Sequence, residues 1–231
     1  VSAGYESGPG YKLQGSVNIP LAENFWMRGA VSYFDTDGHL ENVNTADASA
    51  QRNVDPVEDL NARLSFLFEP TNHFSVDLRL SADQLDTRAL YYVINDFGDP
   101  EFNDPNSTKR PIDLNNSGVN TRDIYDAALR LNLETSYGTW TSITGFNSVE
   151  ELLTGDGYTF DPFGPFPTNR LGFNFNQSQF LDVQTITQEL RFTSPADRRF
   201  RWIAGGQIFS TDRFISTGNM LDTGAGVARQ P

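Results

Sequence analysis

"LNARLSFLFEPTNHFSVDLRLSA" (Leu60–Ala82) alternates apolar and polar residues on both sides of a turn. Leu60, Ala62, Leu64, Phe66 and Phe68 interleave with Asn61, Arg63 and Ser65. Phe74, Val76, Leu78, Leu80 and Ala82 interleave with Ser75, Asp77, Arg79 and Ser81. Side chains of an extended chain point to opposite faces with a period of two, so this is a hairpin with one dry face and one wet face. What meets the dry face decides the fold: the second sheet of a soluble sandwich, or lipid.

Keeping both apolar sets on one face requires even-numbered residues to oppose even-numbered ones. One such register sets Phe68 opposite Asn72 and Arg63 opposite Asp77. The other sets Phe68 opposite Phe74 and Arg63 opposite Arg79. Charge pairing favours the first. Turn chemistry favours the second, with Pro70, Thr71 and a left-handed Asn72 forming a three-residue loop with a bulge. The turn argument leads to Phe66 opposite Val76.

Seven further segments complete nine expected strands, about Val1–Glu6, Lys12–Leu21, Phe25–Asp35, Leu60–Phe68, Phe74–Leu85, Ile124–Thr135, Thr139–Leu152, Leu181–Thr193 and Phe200–Phe214. The seventh is ambiguous in phase, because "WTSITGFNS" has apolar residues of both parities. From the second strand on, connections alternate in length. Short ones are Ala22–Asn24, Glu69–Asn72, Ser136–Gly138 and Pro195–Arg199, and long ones are Thr36–Asp59, Asp86–Asp123, Gly155–Phe180 and the segment from Ile215 on. Long unstructured connections are uncommon in compact soluble domains. At every second position of an up-and-down meander they all emerge at one end, the pattern of an outer-membrane barrel. Strand lengths near the 9–11 residues of a spanning strand agree. So does the clustering of Trp26, Trp140, Trp202, Phe25, Phe74 and Phe200 just after short turns, and of Phe66, Phe68 and Phe192 just before them, as in an interfacial girdle. The expected fold class is therefore all-β: an antiparallel up-and-down meander, part of a large transmembrane outer-membrane β-barrel. Leu64, Val76, Leu78, Leu129, Leu131 and Leu190 should share its exposed apolar face.

Composition narrows the function. Thirty acidic residues against 17 basic ones give a net charge of -13, which argues against a nucleic-acid partner. There is no Cys, which removes disulfides and thiol chemistry. The mean hydropathy is -0.45, and no apolar run is long enough for a spanning helix. His39 and His73 lack a metal-binding setting, and no G-x-S-x-G elbow or phosphate-binding loop exists. "DTDG" (Asp35–Gly38) is too short for a calcium loop and reads as turn chemistry. We therefore expect no enzymatic activity, no catalytic or metal-binding residues and no cofactor. Tyr91, Tyr92, Phe97, Tyr158 and Phe160, with Phe163 and Phe166, place aromatic rings in the long loops and are the candidate ligand-binding residues. Arg28, Arg63, Arg79, Arg130 and Arg191 with Asp77, Asp126 and Glu189 belong to the wet face.

Gly15–Val43, "GSVNIPLAENFWMRGAVSYFDTDGHLENV", resembles the early barrel strands of TonB-dependent outer-membrane receptors. It has a Pro20-Leu21 turn, Arg28 near a strand start, and Asp37-Gly38 with Asn42 where a long loop opens. Ile186–Phe209 resembles a later hairpin of that family, with Gln188-Glu189-Leu190-Arg191 before the turn and Trp202 with Gly205-Gly206 after it. The resemblance implies residues 1–231 as a partial receptor barrel domain of a bacterial outer membrane, without the plug domain and the C-terminal strands. It further implies outer-membrane lipid around the barrel, TonB engaged through an N-terminal plug region, and a scarce ligand such as a ferric siderophore or an oligosaccharide. The competing expectation is a soluble acidic β-sandwich, a carbohydrate-binding or adhesive module. A β-rich hydrolase would need an acid–base cluster that the sequence does not display.

Overall fold

The computed structural model describes residues 1–7, 9–43, 52–88, 112, 114, 116, 118–156 and 175–221. Nine strands form one antiparallel sheet: β1 (Ser2–Glu6), β2 (Gly10–Ala22), β3 (Phe25–Thr36), β4 (Val57–Thr71), β5 (Phe74–Thr87), β6 (Val119–Thr135), β7 (Gly138–Asp156), β8 (Phe175–Thr193) and β9 (Ile203–Leu221). Their spatial order is their chain order, so each strand pairs only with its sequence neighbours. β1 and β9 are the two edges and do not pair with each other. No Greek-key crossing and no second sheet occur among the described residues.

The strands run further than their alternation suggests, almost entirely towards the long connections. β6 begins at Val119, β7 continues to Asp156, β8 begins at Phe175 and β9 continues to Leu221. In these extensions Thr, Asn, Asp, Ser, Gln and Gly interrupt the apolar alternation. The hydrophobic period fades there, while the backbone ladder continues. At the other end β9 starts at Ile203, because the Trp202 N–H donates to Ser194 Oγ at 2.8 Å and its carbonyl accepts from Ser194 N at 2.9 Å, closing the connection.

The β4–β5 register differs from both expected ones. Phe66 faces Leu78, Phe68 faces Val76 and Thr71 faces Phe74, with a bulge between Phe68 and Thr71. Even still opposes even, but Asn72 and His73 alone make the turn. Two causes are visible. No non-glycine residue among those described adopts a positive φ, so Asn72 does not take the left-handed position that the three-residue loop needs. Pro70 has no N–H to give the ladder, so the irregularity falls on Glu69–Pro70 instead of on the turn. The Thr71 hydroxyl accepts the His73 N–H at 3.3 Å and tightens the bend. The result sets Arg63 against Ser81 and Ser65 against Arg79, so no two arginines face each other across this pair of strands.

The only buried apolar cluster among the described residues is Val54, Ile112 and Leu114, all in the long connections. The sheet itself has no dry interior on either side: Leu64 and Leu190 are exposed, and Val76, Leu78, Leu129 and Leu131 are half-buried.

Candidate functional site

The register assigns every strand residue to one of two faces. Phe25, Phe68, Val76, Leu131, Ser142, Leu190 and Gly206 lie in one row across β3–β9. Odd residues of β1–β3 and β6 and even residues of β4, β5 and β7–β9 share this face. It carries Val17, Ile19, Met27, Val31, Leu64, Leu78, Leu80, Leu129, Leu133, Phe146 and Ile186, none of them buried. The six leucine and valine positions expected to share a face are all on it.

Aromatic residues bound this apolar band on both sides. Relative to the row just defined, the margin near the short turns starts on the row, at Phe25 and Phe68. It drops two residues at Phe74, Trp140 and Phe192, and four at Trp202. Ring contacts join neighbours: Phe25–Phe68 at 5.8 Å, Trp140–Phe192 at 4.9 Å and Phe192–Trp202 at 5.1 Å. On the opposite side Tyr33, Tyr125 and Phe146 descend in the same direction across β3–β7, whereas Phe180 and Phe214, in ring contact at 6.1 Å, lie further towards the long connections on β8 and β9. From β3 to β7 the two margins are thus oblique to the register rows, as a level band must be when strands tilt. From Phe25 to Tyr33 the strand advances about 26 Å at ~3.3 Å per residue. Towards the long connections the same face carries a row of acids, Asp35, Glu58, Asp86, Asp123, Glu150, Asp182 and Asp212, one each from β3 to β9, beside Tyr11, Leu152, Phe180 and Phe214. Tyr33 joins this row, its hydroxyl donating to Asp35 at 3.1 Å and to Glu58 at 2.9 Å.

Trp26 is a correction to the expected girdle. It pairs with Pro20 and Leu67, and so points to the opposite face from Trp140 and Trp202. The expected Phe68–Phe74 pair is also absent, since Phe68 packs on Phe25 across β3–β4.

Polar side chains within the band satisfy one another. Gln188 Nε2 donates to Ser142 Oγ and to the Glu189 carbonyl, both at 3.0 Å. Gln188 Oε1 accepts the Thr144 hydroxyl at 2.6 Å. An apolar surrounding penalises unmet donors and acceptors, and this triad presents few.

The second face is polar. All eight Lys and Arg residues of the strands project from it: Lys12, Arg28, Arg63, Arg79, Arg122, Arg130, Arg191 and Arg213. Asp77, Asp126 and Glu189 lie on it as expected. Arg79 is held by Asp77 at 2.7 Å, Arg191 by Glu189 at 3.4 Å and Arg122 by Glu151 at 3.8 Å. Asp126 accepts from Asn147 at 2.7 Å, and Asp83 from Asn61 at 2.8 Å. Such exposed pairs contribute little stability each, so they make the face hydrated and ordered rather than strongly cohesive.

The described parts of the β3–β4 and β5–β6 connections meet at one end of the sheet. Gly38 takes φ 84°, and Asp55 accepts the N–H groups of His39 and Leu40 at 2.8–3.0 Å, which is the turn chemistry of "DTDG". Asn42 pairs with Ile112 in a parallel bridge and clasps Leu114, donating to its carbonyl at 3.0 Å and accepting its N–H at 2.9 Å. Asn116, fully buried, donates to Asn176 Oδ1 at 3.1 Å. Asn42 and Gly38 belong to the quoted motif, but their roles require partners remote in sequence. His39 and His73 lie at opposite ends of their strands, in a long connection and a short turn. The candidate ligand-binding residues Tyr91, Tyr92, Phe97, Tyr158 and Phe160, with Phe163 and Phe166, lie outside the described residues.

Comparison of the chain with protein-family models, with curated proteins and with solved structures found no match in any of the three.

Proposed function

We propose that this sheet is an arc of a bacterial outer-membrane β-barrel, and that the protein is a receptor for TonB-dependent uptake of a scarce ligand such as a ferric siderophore. The observation that carries the membrane half is the bare apolar face, flanked by aromatic residues on both sides across β3–β7 and free of Lys and Arg. Exposed patches on soluble monomers rarely exceed a few hundred Å². A face spanning nine strands needs a cover, and lipid supplies one without a second sheet. The spacing of the margins is of the right order: at a tilt of ~35–45° an advance of about 26 Å along the strand rises about 18–21 Å, and outer-membrane barrels carry an apolar band about 25 Å tall. An open strand edge cannot face hydrocarbon, so the reading requires further strands beside β1 and β9. The receptor half rests on the resemblance of Gly15–Val43 and Ile186–Phe209, and on long connections gathered at one end over a polar wall. A sandwich module is disfavoured by the single sheet.

The two halves are tested separately. In the complete reading frame, reconstituted with bromine-labelled acyl chains, single-tryptophan variants should show strong quenching of Trp140 and Trp202 and weak quenching of Trp26. Equal quenching of all three, or none, would sink the membrane assignment. Growth on ferric siderophores as the sole iron source should then require both this protein and TonB. Growth unchanged by its deletion, with quenching as expected, would leave the barrel and remove this ligand class.

A further inference from the structure

We infer that the polar face carries a carboxylate-binding recess between β2 and β5, built by Arg28, Arg63 and Arg79 around Ser65 with Trp26 and Leu67 as its apolar flank. The recess has a volume of about 520 Å³, within the ordinary range for small-ligand sites. Ser65 is its centre: the register sets Arg28 opposite it on β3 and Arg79 opposite it on β5. Arg63 is the next residue of the same face along β4, and Trp26, Leu67 and Asp77 form the adjoining row towards the short turns.

Charge is what distinguishes this place. The chain is strongly acidic, yet here three guanidinium groups line one recess with a single carboxylate, Asp77. Asp77 is committed to Arg79, accepting from Nε at 3.1 Å and from Nη2 at 2.7 Å. Among the described residues Arg28 donates only to the neutral Asn18 Oδ1, at 3.3 Å. Arg63 has no hydrogen bond or ion pair with any described residue, and faces Ala30 and Ser81 across the ladder. Two uncompensated cations on adjacent strands repel until an anion sits between them. A planar carboxylate matches the guanidinium fork in a bidentate way, and the Ser65 hydroxyl adds a donor between the forks. Trp26 gives the apolar body of such a ligand a flat surface to lie on. It is the one tryptophan turned to this face.

The carboxylate has two sources, a free di- or tricarboxylate or the acidic side chains of a polypeptide lying along the wall. The site does not depend on whether the other face meets lipid. It is tested on the full chain in detergent micelles carrying Trp140→Phe and Trp202→Phe, so that Trp26 reports alone. Citrate and a capped tetraglutamate peptide are titrated separately at constant ionic strength, with spermidine as the cationic control. Saturable change of Trp26 emission with citrate assigns a free carboxylate, and with the peptide alone it assigns acidic side chains. Arg63→Met should weaken either by roughly ten- to a hundredfold, and Arg63→Lys, which keeps the charge without the fork, by less. Absence of saturation with both probes overturns the proposal. So does an Arg63→Met or Arg28→Met titration equal to the parent's. Where a Met variant does not refold, an Arg63→Lys titration equal to the parent's is the overturning result.

Discussion

Leu78→Arg should destabilise the protein in membranes by about 2–4 kcal/mol, while Ile124→Arg should leave its stability unchanged. Leu78 lies in the middle of the apolar band, facing Phe66 on β4 and Leu129 on β6. If that face meets acyl chains, an arginine there costs about 2–4 kcal/mol at the bilayer midplane. That is a large fraction of a typical folding free energy of roughly 5–15 kcal/mol. Ile124 lies on the polar face, opposite Asp83 and Val149, where a guanidinium meets a carboxylate and water. The midpoint of urea unfolding in lipid vesicles reads both. Equal sensitivity of the two positions would argue that both faces have the same surroundings, which no barrel wall has.

Asn42→Ala should open the long-connection end without loosening the sheet. Its side chain satisfies both backbone groups of Leu114, a residue 2% exposed. Alanine leaves a buried N–H and a buried carbonyl unpaired, each costing ~1–3 kcal/mol. A local loss of about 2 kcal/mol or more corresponds to amide exchange at Leu114 faster by roughly 30-fold or more. Exchange at Val76 and Leu131, in the middle of the ladder, should be unchanged. Acceleration at all three positions would mean that the clasp and the sheet unfold as one unit.

The nine strands and their meander order were readable because period-two alternation and the spacing of turns are local signals. Register was not. Parity limited the β4–β5 pairing to alternate settings, but the choice depended on the φ of Asn72 and on where Pro70 could be tolerated, neither of which a residue name fixes. Trp26 shows the same limit: in "FWMRGAVSYF" apolar residues of both parities open β3, and only the pairing with Leu67 reveals its side. β7 was ambiguous for the same reason, until its ladder set Trp140 and Phe146 on one face and Ile143 and Val149 on the other. The clasp of Asn42 on Leu114 was beyond reach, since it joins segments with two strands between them. The arginines were legible as a set, but their convergence on Ser65 was not, because it follows from the register.

A sheet whose every strand is bonded only to its chain neighbours has a particular response to force. Pulled apart by its two ends, it bears load at one ladder at a time, and the bonds of each ladder break in sequence like a zipper instead of shearing together. Extension should therefore release the chain in hairpin-sized steps from either edge at low, nearly constant force. A machine that grips one end of such a wall can dismantle it strand by strand, without ever having to overcome the cohesion of the whole.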